Sequence, residues 1–265
     1  MTPPSGDGTG DRSTTSLSAR SIVASTLLGT HPPRLPGRLL VALATEFGVP
    51  PGTTRVALSR MVERGELIND DGTYELTGAL TERLERQERG RQPRKRPWDG
   101  SWELWILRPD GGPAERDEAA RAAAALGLAE RRDGVWMRPD NLDPARLAAS
   151  QRALDAVAER FVAHPASDPA LLAAELWDLP AWAQRASELD GRMSEVVARL
   201  EADDRAALAP GFELSAAVLR HLVHDPQLPT ELQADGWPAA ELTASFDRYD
   251  RIYRQVLRAF FAEHR

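Results

Sequence analysis

The 265-residue chain has no cysteine, which excludes a disulfide framework, thiolate-ligated metals and a cysteine nucleophile. It also lacks any apolar run of about 18 residues, the length a membrane-spanning helix needs. Its first residues, MTPPSGDGTGDRSTTS, contain no apolar stretch of the kind a secretory signal carries. A cytoplasmic protein is the expectation. Lysine is almost missing, with Lys95 alone beside 32 arginines; that bias suggests a GC-rich genome and says nothing about function. Phosphate-cradling GxxxxGKS, nucleophile-elbow GxSxG and zinc-binding HExxH motifs are absent too. What the chain does hold, 42% hydrophobic and 28% charged residues, suits two or three small globular domains.

The formal net charge of −7 counts against a nucleic-acid partner only if it is spread evenly. Residues 1–97 carry 14 basic against 11 acidic side chains, a balance of +3, and the following 168 carry 19 against 29, a balance of −10. Phosphate attraction decays over about 10 Å in physiological salt. A basic N-terminal end can therefore bind DNA in a protein that is acidic overall.

Residues 1–16 are small and polar, too poor in apolar side chains to offset the entropy of ordering them, and read as a disordered tail. Behind Ser18, a suitable N-cap, Ile22, Val23, Thr26 and Leu27 recur at helical spacing until Gly29, Pro32 and Pro33 stop the helix. After a turn at Leu35-Pro36-Gly37, residues 38–47 place Leu39, Leu40, Leu43 and Phe47 on one face of a second helix ended by Gly48. Pro50, Pro51 and Gly52 lead into a third helix capped by Thr53 and Thr54. At about 100° per residue, Thr54, Leu58, Met61 and Val62 face inward; Thr53, Val56, Ser59, Arg60 and Arg64 face outward, with Arg55 on the flank. Gly65 suits the helix stop, and residues 66–69 and 73–76 pair about Asp71-Gly72, a favoured two-residue hairpin turn. A closing helix over residues 77–87 turns Leu80 and Leu84 inward.

Three helices, a hairpin and a closing helix spell a winged helix-turn-helix over residues 17–88; a small helical core with an incidental hairpin is the alternative. Arginine reads guanine with both O6 and N7, so Arg55 and Arg60 are the expected base contacts. Thr53, Thr54 and Ser59 are expected phosphate or base partners, Val56 lies on the same outward face, and Arg64 also fits a plain solvated role. Asp70 and Asp71 at the hairpin tip repel phosphates and are assigned no contact.

Residues 89–97, RGRQPRKRP, form a basic linker that either brushes the DNA backbone or serves as a solvated hinge. A middle domain follows over residues 98–166: a strand at 102–107, an alanine-rich helix at 113–126, a strand at 134–137, a helix from Asp143 or Pro144 to about 159, and a strand at 161–164. The natural arrangement is ferredoxin-like, β-α-β-β-α-β. Residues 167–265 form a helical C-terminal domain with helices at 169–177, 180–200, 212–224 and 238–264 and a turn-rich stretch at 224–238. The fold class is α+β, mostly helical.

Three groups of residues, in order, carry a resemblance: RVALSRMVERGEL with GTYELT, then WDGSWELWIL and GVWMRPDNL, then LVHDPQLPTEL followed by GWP. They resemble the PaaX-like family, repressors of phenylacetate catabolism, over most of residues 18–255. The resemblance implies a homodimer on double-stranded operator DNA, released by an aryl-CoA or related acyl-CoA effector such as phenylacetyl-CoA. Arg55, Ala57, Arg60 and Val62 match its recognition-helix pattern, and it transfers no effector-binding residue. Trp105, Trp136 and Trp177 are candidates to wall a pocket for an aromatic acyl group, with Arg138 or Arg220 meeting phosphates, although tryptophans are ordinarily core. His221 and His224, followed by Asp225, have zinc-ligand spacing, but no third ligand is placed, so no metal, cofactor or catalytic residue is assigned. Two other classes stay open. A metal-dependent nuclease of ferredoxin-like fold would use carboxylates near strand ends, Asp99, Asp110 and Asp140; an adaptor would bind protein alone through its winged helix.

Overall fold

Ser18 starts the first helix, α1 (Ala19–Leu28), its side chain accepting a hydrogen bond from the Ser21 backbone N–H. The computed structural model describes residues 17–78, 80, 95–109, 112–143 and 148–264, and the chain divides into two units, Met1–Leu80 and Thr81–Glu263. The expected tail at 1–16 lies outside the described residues. Among those described, no helix is long and apolar enough to cross a membrane.

In the first unit the stretch Leu35-Pro36-Gly37 is not a free turn. It belongs to a short strand, β1 (Arg34–Pro36), and to the start of α2 (Gly37–Glu46). Gly37 packs so closely on the Tyr74 ring that a Cβ would meet it at 2.7 Å, so the position that looks like a turn glycine is a packing glycine. α3 (Pro51–Glu63) has Pro51 at its first position and Pro50 before it, with no side-chain cap. Thr53 and Thr54 therefore sit inside its first turn and do not cap it: proline loses no hydrogen bond at that position and its φ is already helical. The hairpin of β2 (Leu67–Asp70) and β3 (Thr73–Leu76) keeps the expected register, Asp70 opposite Thr73. Asp71 and Gly72 adopt φ of 45° and 76°, the left-handed pair that a two-residue turn requires. The antiparallel sheet runs β1-β3-β2, and Ile22, Val23, Leu27, Leu40, Leu43, Leu58, Met61 and Leu67 are buried in the unit. Leu80 is buried as well, but most of the helix expected over 77–87, Leu84 included, lies outside the described residues.

The second unit opens with β4 (Trp102–Leu107), α4 (Pro113–Ala125), β5 (Ala129–Arg132), β6 (Val135–Pro139), α5 (Ala148–Val157) and β7 (Ala158–Ala163). They form an antiparallel sheet in the order β5-β6-β4-β7. β5, sequence AERR, had no strand signal because its side chains are charged and mostly exposed. β7 begins where α5 ends, earlier than the strand expected at 161–164. Alternation divides the sheet: Trp105 and Trp136 pack under α4 and α5 with Ala119, Ala122, Ala123 and Leu154, the alanines leaving room for two indoles. Trp102 and Met137 pack on the other side with Leu172, Ala173, Leu228 and Leu232.

The remaining helices are α6 (Pro169–Leu176), α7 (Leu179–Glu201), α8 (Leu208–Val223) and α9 (Ala239–Glu263), with 3-10 turns at Arg205–Ala207 and Thr230–Leu232. Asp168 and Asp178 cap α6 and α7. Leu189, Met193, Val197, Val218, Leu222, Phe246, Tyr249 and Tyr253 are buried in these helices, and the Tyr253 hydroxyl donates to the Leu208 carbonyl at 3.0 Å.

Candidate nucleic-acid interface

α3 is held by three side chains, Thr54, Leu58 and Met61, all 2% exposed or less. Their i, i+4, i+7 spacing fixes which way the rest of the helix points. Thr53, Arg55, Val56, Ser59, Arg60 and Arg64 are exposed on it. Two expectations are corrected. Thr54, named as a DNA partner, is 0% exposed, and its hydroxyl has no hydrogen-bond partner; it belongs to the core stripe. Val62, expected inward, is 36% exposed, because it falls one residue beyond Met61 and turns off the stripe.

Residues 17–80 contain six arginines and six carboxylates, so this unit has no charge surplus; three of the carboxylates lie on the hairpin, and Glu63 is exposed on α3 beside the arginines. The guanidinium groups of Arg55, Arg60 and Arg64 make no hydrogen bond or ion pair with another described residue, whereas Asp70, Asp71 and Glu75 are exposed on the hairpin. Arg20 on α1, which the sequence did not single out, clamps Glu66 with bonds of 2.9 Å from both Nε and Nη2, and the bonded carboxylate raises its pKa. The two residues lie 46 positions apart, so no local pattern announces the pair. Arg20, Thr53, Val56, Arg60, Met61 and Arg64 border an open depression of about 520 Å³. Ser59 donates its hydroxyl hydrogen to the Arg55 carbonyl at 3.2 Å and faces outward with acceptor lone pairs. Chemically this face offers guanidinium forks unpaired among the described residues, which match guanine O6 and N7 or phosphate oxygens, and an apolar contact at Val56, 50% exposed.

The residues considered for an effector do not gather. Trp105 and Trp136 are cross-strand partners, 1% and 5% exposed, under α4 and α5. Trp177 packs on the opposite side of the sheet against Trp102, with ring centroids 6.5 Å apart. Strand parity separates them, so they wall no common pocket. Arg138 is 1% exposed and meets no open space. Its Nη1 donates to the Leu126 carbonyl at 3.0 Å, its Nη2 to Asn141 Oδ1 at 3.1 Å and the Pro226 carbonyl at 3.4 Å, and its Nε to the Pro139 carbonyl at 3.1 Å. Asn141 in turn donates to the Gln227 carbonyl at 2.9 Å. Arg138 is thus a structural tie between the sheet and residues 226–227, not a phosphate ligand. Arg220 alone of the five is exposed, on α8.

This tie also takes in the end of the basic stretch. Lys95 bridges to Leu142 and donates through Nζ to the Leu228 carbonyl at 3.1 Å, and Arg96 pairs with Asp140. At these two positions the stretch is tied to the second unit; residues 89–94 lie outside the described ones. The segments 98–107, 134–142 and 222–232, far apart in sequence, meet here, so the turn-rich 224–238 stretch contributes buried Pro226, Gln227, Leu228 and Pro229. Of the carboxylates near strand ends, Asp140 also lies 3.7 Å from Arg160. Asp99 accepts from the Ser101 hydroxyl and N–H, bonds that hold its pKa below the usual range, and Asp110 lies outside the described residues. Among the described residues no three His, Asp or Glu side chains gather as metal ligands.

Residues 18–80 match the family model described as PaaX-like protein, and residues 177–263 match the model of the PaaX-like protein C-terminal domain. A solved structure of an uncharacterized protein from Mycobacterium tuberculosis is 35% identical, with a TM-score of 0.71 over 91% of this chain and 98% of that one. No protein of curated function matches.

Proposed function

The chain belongs to the PaaX-like protein family, known for transcriptional regulators of phenylacetate catabolism, and from that premise we propose that it is a sequence-specific DNA-binding repressor. It acts as a homodimer on double-stranded operator DNA in the cytoplasm and is released by an aryl-CoA or related acyl-CoA effector. The observation that carries this is the outward face of α3, where Arg55, Arg60 and Arg64 stand exposed without counter-ions among the described residues on a helix anchored by Leu58 and Met61.

α2 and α3 with the β2–β3 hairpin support a winged helix-turn-helix; the β-α-β-β-α-β order with strands arranged β5-β6-β4-β7 supports a ferredoxin-like middle domain before the C-terminal helices. α3 enters the major groove, Arg55 and Arg60 read base edges, Val56 meets a thymine methyl, and Thr53 and Ser59 bond phosphates. Arg64 flanks them as a phosphate contact, and the acidic hairpin tip stays clear of the backbone. Two-fold symmetry implies half-sites about 10 base pairs apart or a multiple of that.

A gel-shift titration with promoter DNA tests this. Binding that weakens steeply with salt is expected, because each phosphate contact releases counterions. No shift with any fragment would favour an adaptor that binds protein, and magnesium-dependent cleavage would favour a nuclease.

A further inference from the structure

DNA binding leaves one basic cavity unexplained. Arg185 and Leu189 of α7 and Ala217, Arg220, His221 and His224 of α8 and its end line an open depression of about 280 Å³. Leu189 is buried beneath it, so the walls are two guanidinium groups and two imidazoles over an apolar base. Cations in the last turn of α8 complement its helix dipole, which accounts for Arg220, His221 and His224 one by one. It does not account for Arg185, in the N-terminal half of α7, where a cation gains nothing from the dipole.

The imidazoles are oriented. His221 Nε2 lies 3.0 Å from the Trp182 carbonyl, and His224 Nδ1 lies 2.7 Å from the Arg220 carbonyl. A nitrogen facing a carbonyl carries the hydrogen, so His221 Nδ1 and His224 Nε2 are left to accept when the ring is neutral and to donate when it is protonated. The His221 ring is fixed by stacking on Trp182 at 4.4 Å, and Trp182 stacks on Trp237 at 4.7 Å. Burial holds the His221 pKa below the usual range, with Arg185 and His224 adding to the effect. Nearby negative charge is thin. Glu188 pairs with Arg185 at 2.9 Å, Asp225 accepts from the Gln227 N–H, and the Arg220 guanidinium makes no hydrogen bond or ion pair with another described residue.

We propose that this depression binds the phosphoryl group of a small-molecule ligand, gripped by Arg185 and Arg220 and by the free nitrogens of His221 and His224. A multiply charged oxyanion supplies the counter-charge that Arg220 lacks and acceptors for the N–H groups that the free nitrogens of His221 and His224 present once protonated. The volume suits a phosphate or pyrophosphate group; it is smaller than the 300–1,000 Å³ or so of pockets that enclose a whole drug-sized ligand. The site deepens the effector-released repressor proposed above, naming where a phosphorylated effector is anchored, but its test needs no DNA.

Inorganic pyrophosphate is titrated into the full chain at constant ionic strength while the imidazole C–H resonances of its five histidines are followed by NMR, with His221→Gln and His224→Gln for assignment. The His221 and His224 signals are expected to move and saturate while those of His31 and His164 stay put. Arg220→Gln raises the dissociation constant about tenfold, the loss of one charge-assisted contact; Arg185→Gln raises it in the same direction, and circular dichroism verifies both folds. Phenylacetyl-CoA moving the same two signals at lower concentration identifies the phosphates as those of a thioester. A response to pyrophosphate alone identifies a different phosphorylated molecule in the same site. Signals that stay still, drift without saturating, or respond equally in both variants overturn the site. A gel shift run alongside separates the two proposals: intact DNA binding without a pyrophosphate response removes only this one, and the reverse removes only the operator reading.

Discussion

Arg60 and Arg138 bring the same side chain into opposite surroundings. Arg60 projects from α3 into solvent with no partner among the described residues, whereas Arg138 is 1% exposed and spends its donors on carbonyl and amide oxygens. An unpaired guanidinium in water has its fork free for a base or a phosphate; one whose hydrogens already hold the fold together cannot leave without orphaning the acceptors. The role of an arginine here is set by what already satisfies it, not by its presence in a basic or aromatic stretch.

The contrast is broken most severely at Arg138. Arg138→Ala leaves buried acceptors unpaired and is expected to destabilise the second unit by about 3–5 kcal/mol, read by urea denaturation; a loss below about 1 kcal/mol would make the tie incidental. Gly127→Ala attacks the same network from the backbone. Its φ is +72°, and a Cβ would lie 2.7 Å from Arg138 Nη1, so a loss of about 1–3 kcal/mol is expected. On α3 the sign reverses. Thr54→Val removes a buried hydroxyl without a partner while keeping the shape, so it should stabilise the first unit by about 1 kcal/mol and leave DNA affinity alone. Asp71→Asn at the hairpin tip should change affinity by less than about twofold, the range of a surface substitution away from contacts; a larger loss would bring the tip into the interface.

Legibility in the sequence followed the range of the interactions. The Ser18 cap, the Asp71-Gly72 turn and the Thr54, Leu58, Met61 stripe are local patterns, and each appears where its residues suggest. β1 and β5 did not announce themselves, since one is three residues ending in proline and the other is a charged edge strand; both depend on partners distant in sequence. The outward arginines of α3 were legible because helical periodicity fixes direction. Thr54 has the residue type of a DNA partner, but its periodicity places it in the core stripe. Trp105, Trp136 and Trp177 looked alike as aromatics, and only strand pairing showed that they lie on opposite sides of one sheet.

The most direct test is a gel-shift measurement of operator affinity for Arg60→Ala beside the unmodified chain, at matched salt and with thermal melting to verify the fold. Loss of one base-reading arginine predicts affinity reduced by more than about tenfold with an unchanged melting temperature. Equal affinity in the two proteins would contradict the account and remove α3 from the DNA groove.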